Sequence, residues 1–576
     1  MKNPVLFLSF ILLLLSENTF SQSGQRRDAS APAGQTGGSN QLEIIRADSL
    51  KGAMGFQRLY GDVKMKNQST LINCDSAHFY RALNVAKLYG RVFIEDLEDS
   101  VTTRSAYADY NGNTKLAKLR TNVVMTNGET SLYTDYLDFD RAANVAVYFN
   151  EGKVVDTTNV LTSFRGRYEV NLERITFNED VILVNPDYTM KTNHLVYMTI
   201  PKTAETKGLT NLVAEDGTTL DAQKGSFYDT QKKQFRFFEG MVDTENSRVK
   251  ADELIYRELD AYYEGKNRVA VLNKEREVEI FGDLGKYWED RGYSEVIGNA
   301  LVRKYFEKDT LFMIADTLIS QDREGDSLKF LKAFRSISLI KSDMAGISDS
   351  LVYNYSDSSI QLFNDPVIWN QKNQISADSM VFYIVNEELE RAIMKEKAFS
   401  VMTDTLANFN QMKGRKMTAF FGEGEIRQLL IEGNGESLYY ALEGDTLNQG
   451  INRTLSATIR LNFQDGAVRR VNYGVKPDGR FIPIQDTDEK TTRLEGFQWR
   501  EEEKPSMEDI FAWRIVDEID LDQKNLFDIP NVRLRMPTEE EMEKTLQKRL
   551  LKLENSSFKK LPVRIKGAND QSQKKF

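Results

Sequence analysis

The sequence is poor in the residues on which most catalytic and metal chemistry depends. It has one cysteine, Cys74, and two histidines, His78 and His194, in 576 residues. A single cysteine excludes an internal disulfide and any cysteine-based metal cluster. The histidines show no HExxH or HxxxH spacing, and there is no G-x-S-x-G elbow or Walker loop. We therefore expect no catalytic residue, no metal site and no cofactor.

Proline and long apolar runs are also scarce. The chain has 11 prolines but 24 tyrosines and 32 phenylalanines, a balance typical of extended, paired strands. After the N-terminus, no apolar run approaches the roughly 20 residues that a membrane-spanning helix needs. The net charge of −10 gives no reason to expect a nucleic acid as partner.

The N-terminus has the pattern of an export signal. Lys2 precedes an apolar run from Val5 to Leu15, and the small residues Thr19 and Ser21 lie where a signal peptidase cleaves. The pattern predicts a signal peptide over residues 1–21 and a periplasmic protein, with the outer membrane as a site of association. Residues 22–40, rich in Gly, Ser and Gln, predict a disordered linker.

From residue 41 onward, one strand-like phrase recurs. It reads "VKADELIY" at 249–256, "FMIADTL" at 312–318 and "ISADSMVFY" at 375–383. We take as a marker the Asp of this phrase, or the residue that replaces it. Successive markers are 27 to 33 residues apart, a period typical of repeat architectures. The markers are Asp48, Asp75, Ala106, Asp135, Gly166, Asn193, Lys224, Asp252, Asp283, Asp316, Asp349 and Asp378.

A second sequence motif recurs with the same period, as in "YGDVKM" from residue 60 and "YGRVFI" from residue 89. Together the two phrases predict an all-β stack of short antiparallel strands with Gly or Asn corners. Charged residues are dense at 321–334 and are expected to divide a first stack over 41–320 from a second over 321–485, with Asp465–Gly466 as a hairpin turn. Residues 486–576 lose the period, and a short helix from Pro537 followed by a flexible tail is expected there.

The positions two and four residues after a marker are regularly apolar. Strand side chains alternate between two faces, so these residues are expected to form a ladder on one face. The marker aspartates themselves are expected at strand starts, where a carboxylate accepts backbone N–H bonds. Calcium-binding solenoids instead use glycine-rich G-G-x-G-x-D tracts, which are absent. The candidate lipid-binding residues of the ladder are Phe79, Leu137, Phe139, Leu195, Tyr197, Leu254, Tyr256, Leu351, Tyr353, Met380 and Phe382.

The segments "IIRADSLKGAMGFQRLYGDVKM" and "KADELIYRELDAYYEGKNRVAV" resemble the OstA/LptA family of periplasmic lipopolysaccharide-transport proteins. The resemblance is clearest over 41–320 and extends to about 480. It implies a folded-over β-jellyroll, V-shaped in section, with an apolar crease for acyl chains. It also implies end-to-end stacking with LptC-like or LptD-like proteins, or with a second copy. This chain is longer than a single LptA-type domain.

Such a stack ends in open edge strands, which can add a strand from a partner. The first edge is expected at Leu42, Glu43, Ile44, Ile45 and Arg46. The resulting hypothesis is a bridge protein that shields the acyl chains of lipopolysaccharide, or of a related glycolipid, on the way to the outer membrane. A structural envelope scaffold that binds no lipid and a β-solenoid enzyme acting on a polysaccharide are the alternatives.

Overall fold

The computed structural model describes residues 41–513, apart from 54, 98–100, 129, 157–158, 185, 187, 307–308, 324–328, 386–387, 423–424, 445 and 465–466. The predicted signal peptide, linker, Asp465–Gly466 turn, helix from Pro537 and tail lie outside the described residues. The chain divides into two compact units. The N-terminal unit holds the described residues up to Lys304 and 317–332, and the C-terminal unit holds 305–316 and those from Ala333 onward. The stacks at 41–320 and 321–485 stay a prediction.

Both units consist of antiparallel strands, which confirms the all-β fold class. In the N-terminal unit, strands β3 to β12 pair each with the next along the chain, and so do β17 to β21. Strands β21 and β22 reach across the division between the units. The strands are β1 (Glu43–Arg46), β2 (Ser49–Ala53), β3 (Phe56–Asn67), β4 (Thr70–Tyr80), β5 (Val85–Asp96), β6 (Thr102–Asn111), β7 (Leu116–Asn127), β8 (Thr130–Asp140), β9 (Val145–Val155), β10 (Val160–Glu169), β11 (Arg174–Val184), β12 (Tyr188–Met198), β13 (Thr203–Thr206), β14 (Thr210–Ala214), β15 (Thr219–Ala222), β16 (Ser226–Asp229), β17 (Gln234–Asp243), β18 (Ser247–Arg257), β19 (Tyr262–Asn273), β20 (Val278–Trp288), β21 (Tyr293–Tyr305) and β22 (Thr310–Gln321).

The described part of the C-terminal unit is antiparallel as well, and it ends in a short helix, α1 (Met507–Trp513). Short 3-10 turns lie at Arg81–Leu83, Val170–Leu172, Glu258–Asp260, Glu289–Arg291, Ile484–Asp486 and Glu501–Glu503. The remaining strands are β23 (Phe330–Lys341), β24 (Met344–Asn354), β25 (Ser359–Phe363), β26 (Val367–Asn370), β27 (Asn373–Ser376), β28 (Ser379–Val385), β29 (Glu388–Thr403), β30 (Phe409–Gly422), β31 (Glu425–Glu443), β32 (Leu447–Gln464), β33 (Ala467–Gly474) and β34 (Asp478–Pro483).

Many of the long strands bend once, near their middle, at a corner of two residues with positive φ. Such corners lie at Gly61–Asp62, Gly90–Arg91 and Asn267–Arg268, and the pairing register shifts at each of them. This is the behaviour of a β-bulge, which adds backbone to one strand and bends it. Each bent strand therefore contributes one half to each of two arms. The phrases "YGDVKM" and "YGRVFI" encode these corners.

The marker aspartates form hydrogen bonds with side chains at the corners of the neighbouring strand. Asp75 Oδ1 accepts a hydrogen bond from Arg91 Nε at 2.9 Å, and Asp283 Oδ2 accepts one from Asn299 Nδ2 at 2.8 Å. At the degenerate marker Lys224 the charges are exchanged, since its Nζ lies 2.7 Å from Glu239 Oε1. The expectation that the markers begin strands is confirmed for Asp48 and Asp378, which directly precede β2 and β28, but it is wrong for Asp75. Asp75 lies in the middle of β4, because the strand passes through the bend without a break.

Candidate functional site

Most of the interior of the N-terminal unit, from Leu42 to Val269, is one apolar cluster, which we call its core. The residue directly after each corner points inward, as Val63, Val92 and Val269 do, each no more than 1% exposed. Before a marker and two or four residues after it the side chains also point inward, as Cys74 and Phe79 do in β4. Because the corner adds a residue to the strand, the alternation of inward and outward side chains starts again after it. Both halves of the strand therefore bury one face in the same core.

The structure places the predicted ladder residues in the two units separately. In the N-terminal unit Phe79, Leu137, Leu195, Leu254 and Tyr256 are buried members of its core, Tyr197 is buried, and Phe139 packs against the core half-buried. In the C-terminal unit Leu351 and Met380 are buried, while Tyr353 and Phe382 are half-buried. These positions face the interior of their unit rather than bulk water.

The core of the N-terminal unit contains a cavity of about 110 Å³. Two of the predicted residues, Leu195 and Tyr197, line it. The sequence did not single out the other apolar residues of the wall. Those include Leu161, Ile175, Phe177, Leu183, Met190, Ala204, Leu212, Leu220, Tyr228, Phe235 and Phe237.

Broken strands border this cavity. Strand β12 pairs with both β13 and β14, which are separated by residues 207–209, and β17 pairs with both β15 and β16, which are separated by 223–225. Gly208 and Gly225 adopt positive φ inside these breaks, and a Cβ on Gly225 would lie against the backbone of Thr206. Two neighbouring positions in the sheet are thus each filled by two short strands, β13 with β14 and β15 with β16. The breaks between them take the place of the tight corner that bends the intact strands of the unit.

Polar side chains cluster on the cavity wall beside the breaks. The Thr210 hydroxyl lies 2.7 Å from the Thr206 hydroxyl and 3.2 Å from that of Thr192, and Thr206 Oγ1 lies 2.9 Å from Ser226 Oγ. Thr206 Oγ1 also accepts the backbone N–H of Ser226. These hydroxyl groups therefore satisfy one another, and they leave the cavity itself dominated by apolar side chains.

One polar atom of the cavity wall lacks such a partner. The hydroxyl of Tyr197 is buried and has no hydrogen-bond partner among the residues that the structure describes. Burial of this side chain raises the pKa of its hydroxyl above the ordinary value, so that the phenol stays protonated at neutral pH. A buried hydroxyl without a partner costs free energy, which a ligand oxygen could recover by accepting its hydrogen bond.

The cysteine and the two histidines lie in structural settings. Burial raises the pKa of the Cys74 thiol to about 12, which leaves it protonated and unreactive. His78 packs against the rings of Phe56 and Tyr89, and His194 Nδ1 lies 2.6 Å from Asn178 Oδ1 in the paired strand. Within the described ranges, no group of three or more His, Cys, Asp or Glu residues could hold a metal ion. No helix in the described part of the chain is long and apolar enough to span a membrane.

The predicted edge strand has an inner and an outer side. Leu42 is buried in the core of the N-terminal unit, and its backbone N–H donates to Asn84 Oδ1 at 2.8 Å. Strand β1 pairs with β3 through Glu43, Ile44 and Arg46, with an irregularity at Ile45, whose side chain is 56% exposed. Leu42 therefore belongs to the fold, whereas Ile45 is accessible to a partner.

Comparison with known proteins finds a family match for the first part of the N-terminal unit. Residues 39–193 match the family model of OstA-like proteins. No curated protein matches the chain. Among solved structures it is similar to LptH of Pseudomonas aeruginosa, described as the LptA homologous periplasmic component of a lipopolysaccharide transport device. That similarity has 16% sequence identity, covers 19% of this chain and 83% of LptH, and has a TM-score of 0.18.

The fold defines the class of protein. It is an all-β protein whose long strands bend at corners and surround an apolar interior. Over residues 39–193, the N-terminal unit is similar to the OstA-like proteins, as the match to their family model shows.

Proposed function

We propose that this protein is a periplasmic binding protein that shields the acyl chains of lipopolysaccharide, or of a related glycolipid, during transport to the outer membrane. The observation that carries the proposal is the apolar cavity inside the unit that bears the OstA-like domain. The wall of the cavity contains residues from Thr130 of β8 to Phe237 of β17, and it shares Leu195 and other residues with the core that contains most of the predicted ladder of that unit.

The energetic need for such a shield is large. Exposing one methylene group to water costs about 0.8 kcal/mol, so an acyl chain of about a dozen carbons costs on the order of 10 kcal/mol. An apolar wall such as Leu195, Leu212 and Phe237 removes that cost. Within this proposal, Leu137, Leu254 and Tyr256 extend the binding interior along the unit, and Leu351, Tyr353, Met380 and Phe382 provide a second one in the C-terminal unit.

Tyr197 supplies polar chemistry inside an otherwise apolar site. Its buried hydroxyl can donate a hydrogen bond to the carbonyl oxygen of an ester or amide that joins an acyl chain to a sugar. A hydroxyl at this place favours an acylated glycolipid over a plain hydrocarbon, because only the former offers an acceptor.

Two adjacent residues of β14 provide the test. Leu212 lines the cavity, whereas Val213 is 41% exposed. A photo-crosslinking amino acid at position 212 should label lipopolysaccharide in cells, and the same group at position 213 should not. Equal labelling at the two positions would contradict a directed interior site. Mass spectrometry of the natively purified protein should find a retained acylated lipid, and a lipid-free protein would favour the scaffold alternative.

The partners of the proposed bridge are LptC-like and LptD-like proteins or a second copy, which would add a strand to β1. Ile45→Glu changes the exposed side of this strand and should weaken capture of such a partner while the circular dichroism spectrum stays unchanged. Leu42→Glu is the control, because it places a charge in the core and should reduce folding and capture together. Loss of capture in step with loss of folding for both variants would contradict edge docking.

A further inference from the structure

One arm of the C-terminal unit carries apolar side chains on both faces. We call it arm B; it contains residues 310–315, 337–341, 344–348, 367–370, 373–376, 398–403 and 409–413. In β29 the corner lies at Glu396–Lys397, so Ala398 points inward and the alternate residues Phe399 and Val401 point outward. Both outward side chains are nevertheless buried. A second layer must therefore cover the outer face of arm B.

Residues 488–513, which we call the strap, form part of this layer. Leu494 is 2% exposed and belongs to one apolar cluster with Phe399 and Val401. Phe497 and Trp499 pack against the same cluster, and their rings lie 5.3 Å and 5.2 Å from the ring of Phe409. The strap thus uses apolar side chains to cover the outward residues of β29 and β30.

Two buried glutamines hold the backbone of the strap. Gln411 of β30 donates from Nε2 to the carbonyl oxygen of Thr492 and accepts the N–H of Leu494, both at 2.8 Å. Gln374 of β27 donates to the carbonyl oxygen of Gln498 and accepts the N–H of Arg500, both at 2.7 Å. Each side-chain amide pairs with the strap as a neighbouring strand would.

These contacts also give the direction of the strap. It passes β30 first, then β27, and Arg500 then reaches Asp365, just before β26, at 2.8 Å. Further along, Pro505 is buried and Ile510 in α1 is 1% exposed. The strap therefore runs across the strands of arm B towards those that come earlier in the chain.

The outer face ahead of the strap is apolar and buried as well. In β24 and β26 the outward residues Ala345, Val367 and Trp369 form a buried cluster. Ile340 of β23 points outward, three residues after the inward Ile337 that follows the corner at Arg335–Ser336.

Strand β22 continues the same face. Its marker Asp316 is preceded by Ala315, which points inward as Cys74 does before Asp75, so Ile314 and Phe312 point outward. They are 4% and 6% exposed. In the N-terminal unit the corresponding outward positions at Lys66 and Arg104 are polar and exposed, as expected for a face that meets water.

We propose that residues 514–536 continue the strap and cover Phe312, Ile314 and Ile340 of the same chain. These residues follow Trp513 directly, and ten of the 23 are apolar. Neighbouring strands lie about 4.8 Å apart, whereas 23 extended residues span about 75 Å, so the segment is long enough to cross several strands. The extended strap makes arm B a two-layer wall and leaves its outer face closed to other partners.

The test measures thiol accessibility at single introduced cysteines, with the buried Cys74 as an internal reference. In the full chain, Ile314→Cys should react slowly with a maleimide, and deletion of residues 514–576 should accelerate the reaction at least tenfold. Val401→Cys lies under the described strap and should stay slow in both chains. Equal rates at position 314 with and without residues 514–576 would overturn the proposal. So would protection that rises with protein concentration, because a second copy would then be the cover.

A second variant keeps the test decisive if the shortened chain does not fold, which fast labelling of Val401→Cys would reveal. In the full chain, the double change Leu526→Asp and Phe527→Asp should accelerate labelling of Ile314→Cys, because it places two charges in the proposed contact. Phe558→Asp lies beyond residue 536 and should leave the rate unchanged. A rate at position 314 that does not respond to the double change would overturn the proposal.

Discussion

Asp75 and Arg91 join the middle of one strand to the corner of the next, sixteen residues further along the chain, by a hydrogen bond of 2.9 Å between Oδ1 and Nε. The same link recurs between Asp252 and Arg268, also sixteen residues apart, at 2.6 Å. At both of these markers a carboxylate thus meets a side chain of the positive-φ corner beside it. This relationship explains why a thirty-residue period in the sequence combines an acidic phrase with a Gly or Asn phrase.

The corner glycine at position 90 should be more sensitive than a glycine in a turn. Gly90→Ala and Gly128→Ala both place a side chain at positive φ, which costs about 1 kcal/mol. Only at position 90 would the new Cβ lie 2.5 Å from Asp75 Oδ2, whereas Gly128 has open space around it. Chemical denaturation should show a larger loss for Gly90→Ala than for Gly128→Ala, because the new Cβ displaces Asp75 from its hydrogen bond with Arg91. Equal losses would mean that the link does not stabilise the corner.

Filling the cavity should separate binding from folding. Ala204 lines the cavity, so Ala204→Phe adds a ring where space exists and should leave the free energy of unfolding within about 1 kcal/mol of the parent. Crosslinking of lipid at position 212 should fall several-fold. Ala222 is fully buried in the same core but does not line the cavity, so Ala222→Phe should destabilise by about 1–3 kcal/mol. Undiminished lipid labelling in Ala204→Phe would place the lipid elsewhere.

Removing the Tyr197 hydroxyl should affect the ligand more than the fold. This group has no partner among the described residues, so Tyr197→Phe should leave the melting temperature unchanged or raise it. Lipid affinity should fall up to about tenfold, the equivalent of one hydrogen bond of about 1.4 kcal/mol. Tyr148→Phe is the matched control, because its hydroxyl lies 2.5 Å from Ser163 Oγ and its loss should lower stability. Unchanged lipid affinity in Tyr197→Phe would remove this hydroxyl from the site.

The glutamine anchors of the strap allow a direct test. Gln411→Leu removes both bonds to Thr492 and Leu494, and local protection of residues 490–496 from hydrogen exchange should fall by about 1–3 kcal/mol. Gln411→Glu keeps the acceptor for Leu494 but places a buried carboxylate against the Thr492 carbonyl oxygen, so it should lose at least as much protection. Gln449→Leu, which breaks a side-chain bond to Glu443, is a control that should leave residues 490–496 unaffected. If Gln411→Leu leaves their protection unchanged, the anchors do not hold the strap.

The two histidines should make the fold less stable in mild acid. Burial, followed by neighbouring positive charge, lowers the pKa of both His78 and His194. A lowered pKa in the folded state means that the unfolded chain binds more protons, so the stability falls as the pH drops through about 6.5, the pKa of an unperturbed histidine. The melting temperature should decline gently between pH 7 and pH 5.5. The double variant His78→Gln and His194→Gln should flatten that decline, and an identical slope would assign it to other groups.

The sequence predicts the repeating part of the fold well, because each repeat carries its own local signal. Alternation around a marker identifies the inward residues Phe79 and Leu137, and the Gly phrases identify the corners at 61 and 90. The predicted position of the marker at a strand start was wrong for Asp75, because a strand that bends without breaking gives no sequence signal of where it starts.

The cavity and the strap could not be predicted in the same way. The cavity depends on breaks in β13–β14 and β15–β16, where the period is degenerate at Lys224, and only the glycines at 208 and 225 hint at them. Gln374 and Gln411 read as ordinary polar strand residues, since their strap partners lie 81 to 126 residues away. Apolar residues on consecutive positions, as at Ala398–Phe399, were the available signal that a strand is covered on both faces.

The local fastening of each corner has an evolutionary consequence. The Asp75–Arg91 hydrogen bond joins only adjacent strands. A duplicated thirty-residue module would therefore carry its own bond of this kind, and deletion of a module would leave the bonds of the others intact. Proteins of this construction can therefore change in length by genetic insertion of pairs of strands without redesign of the modules on either side.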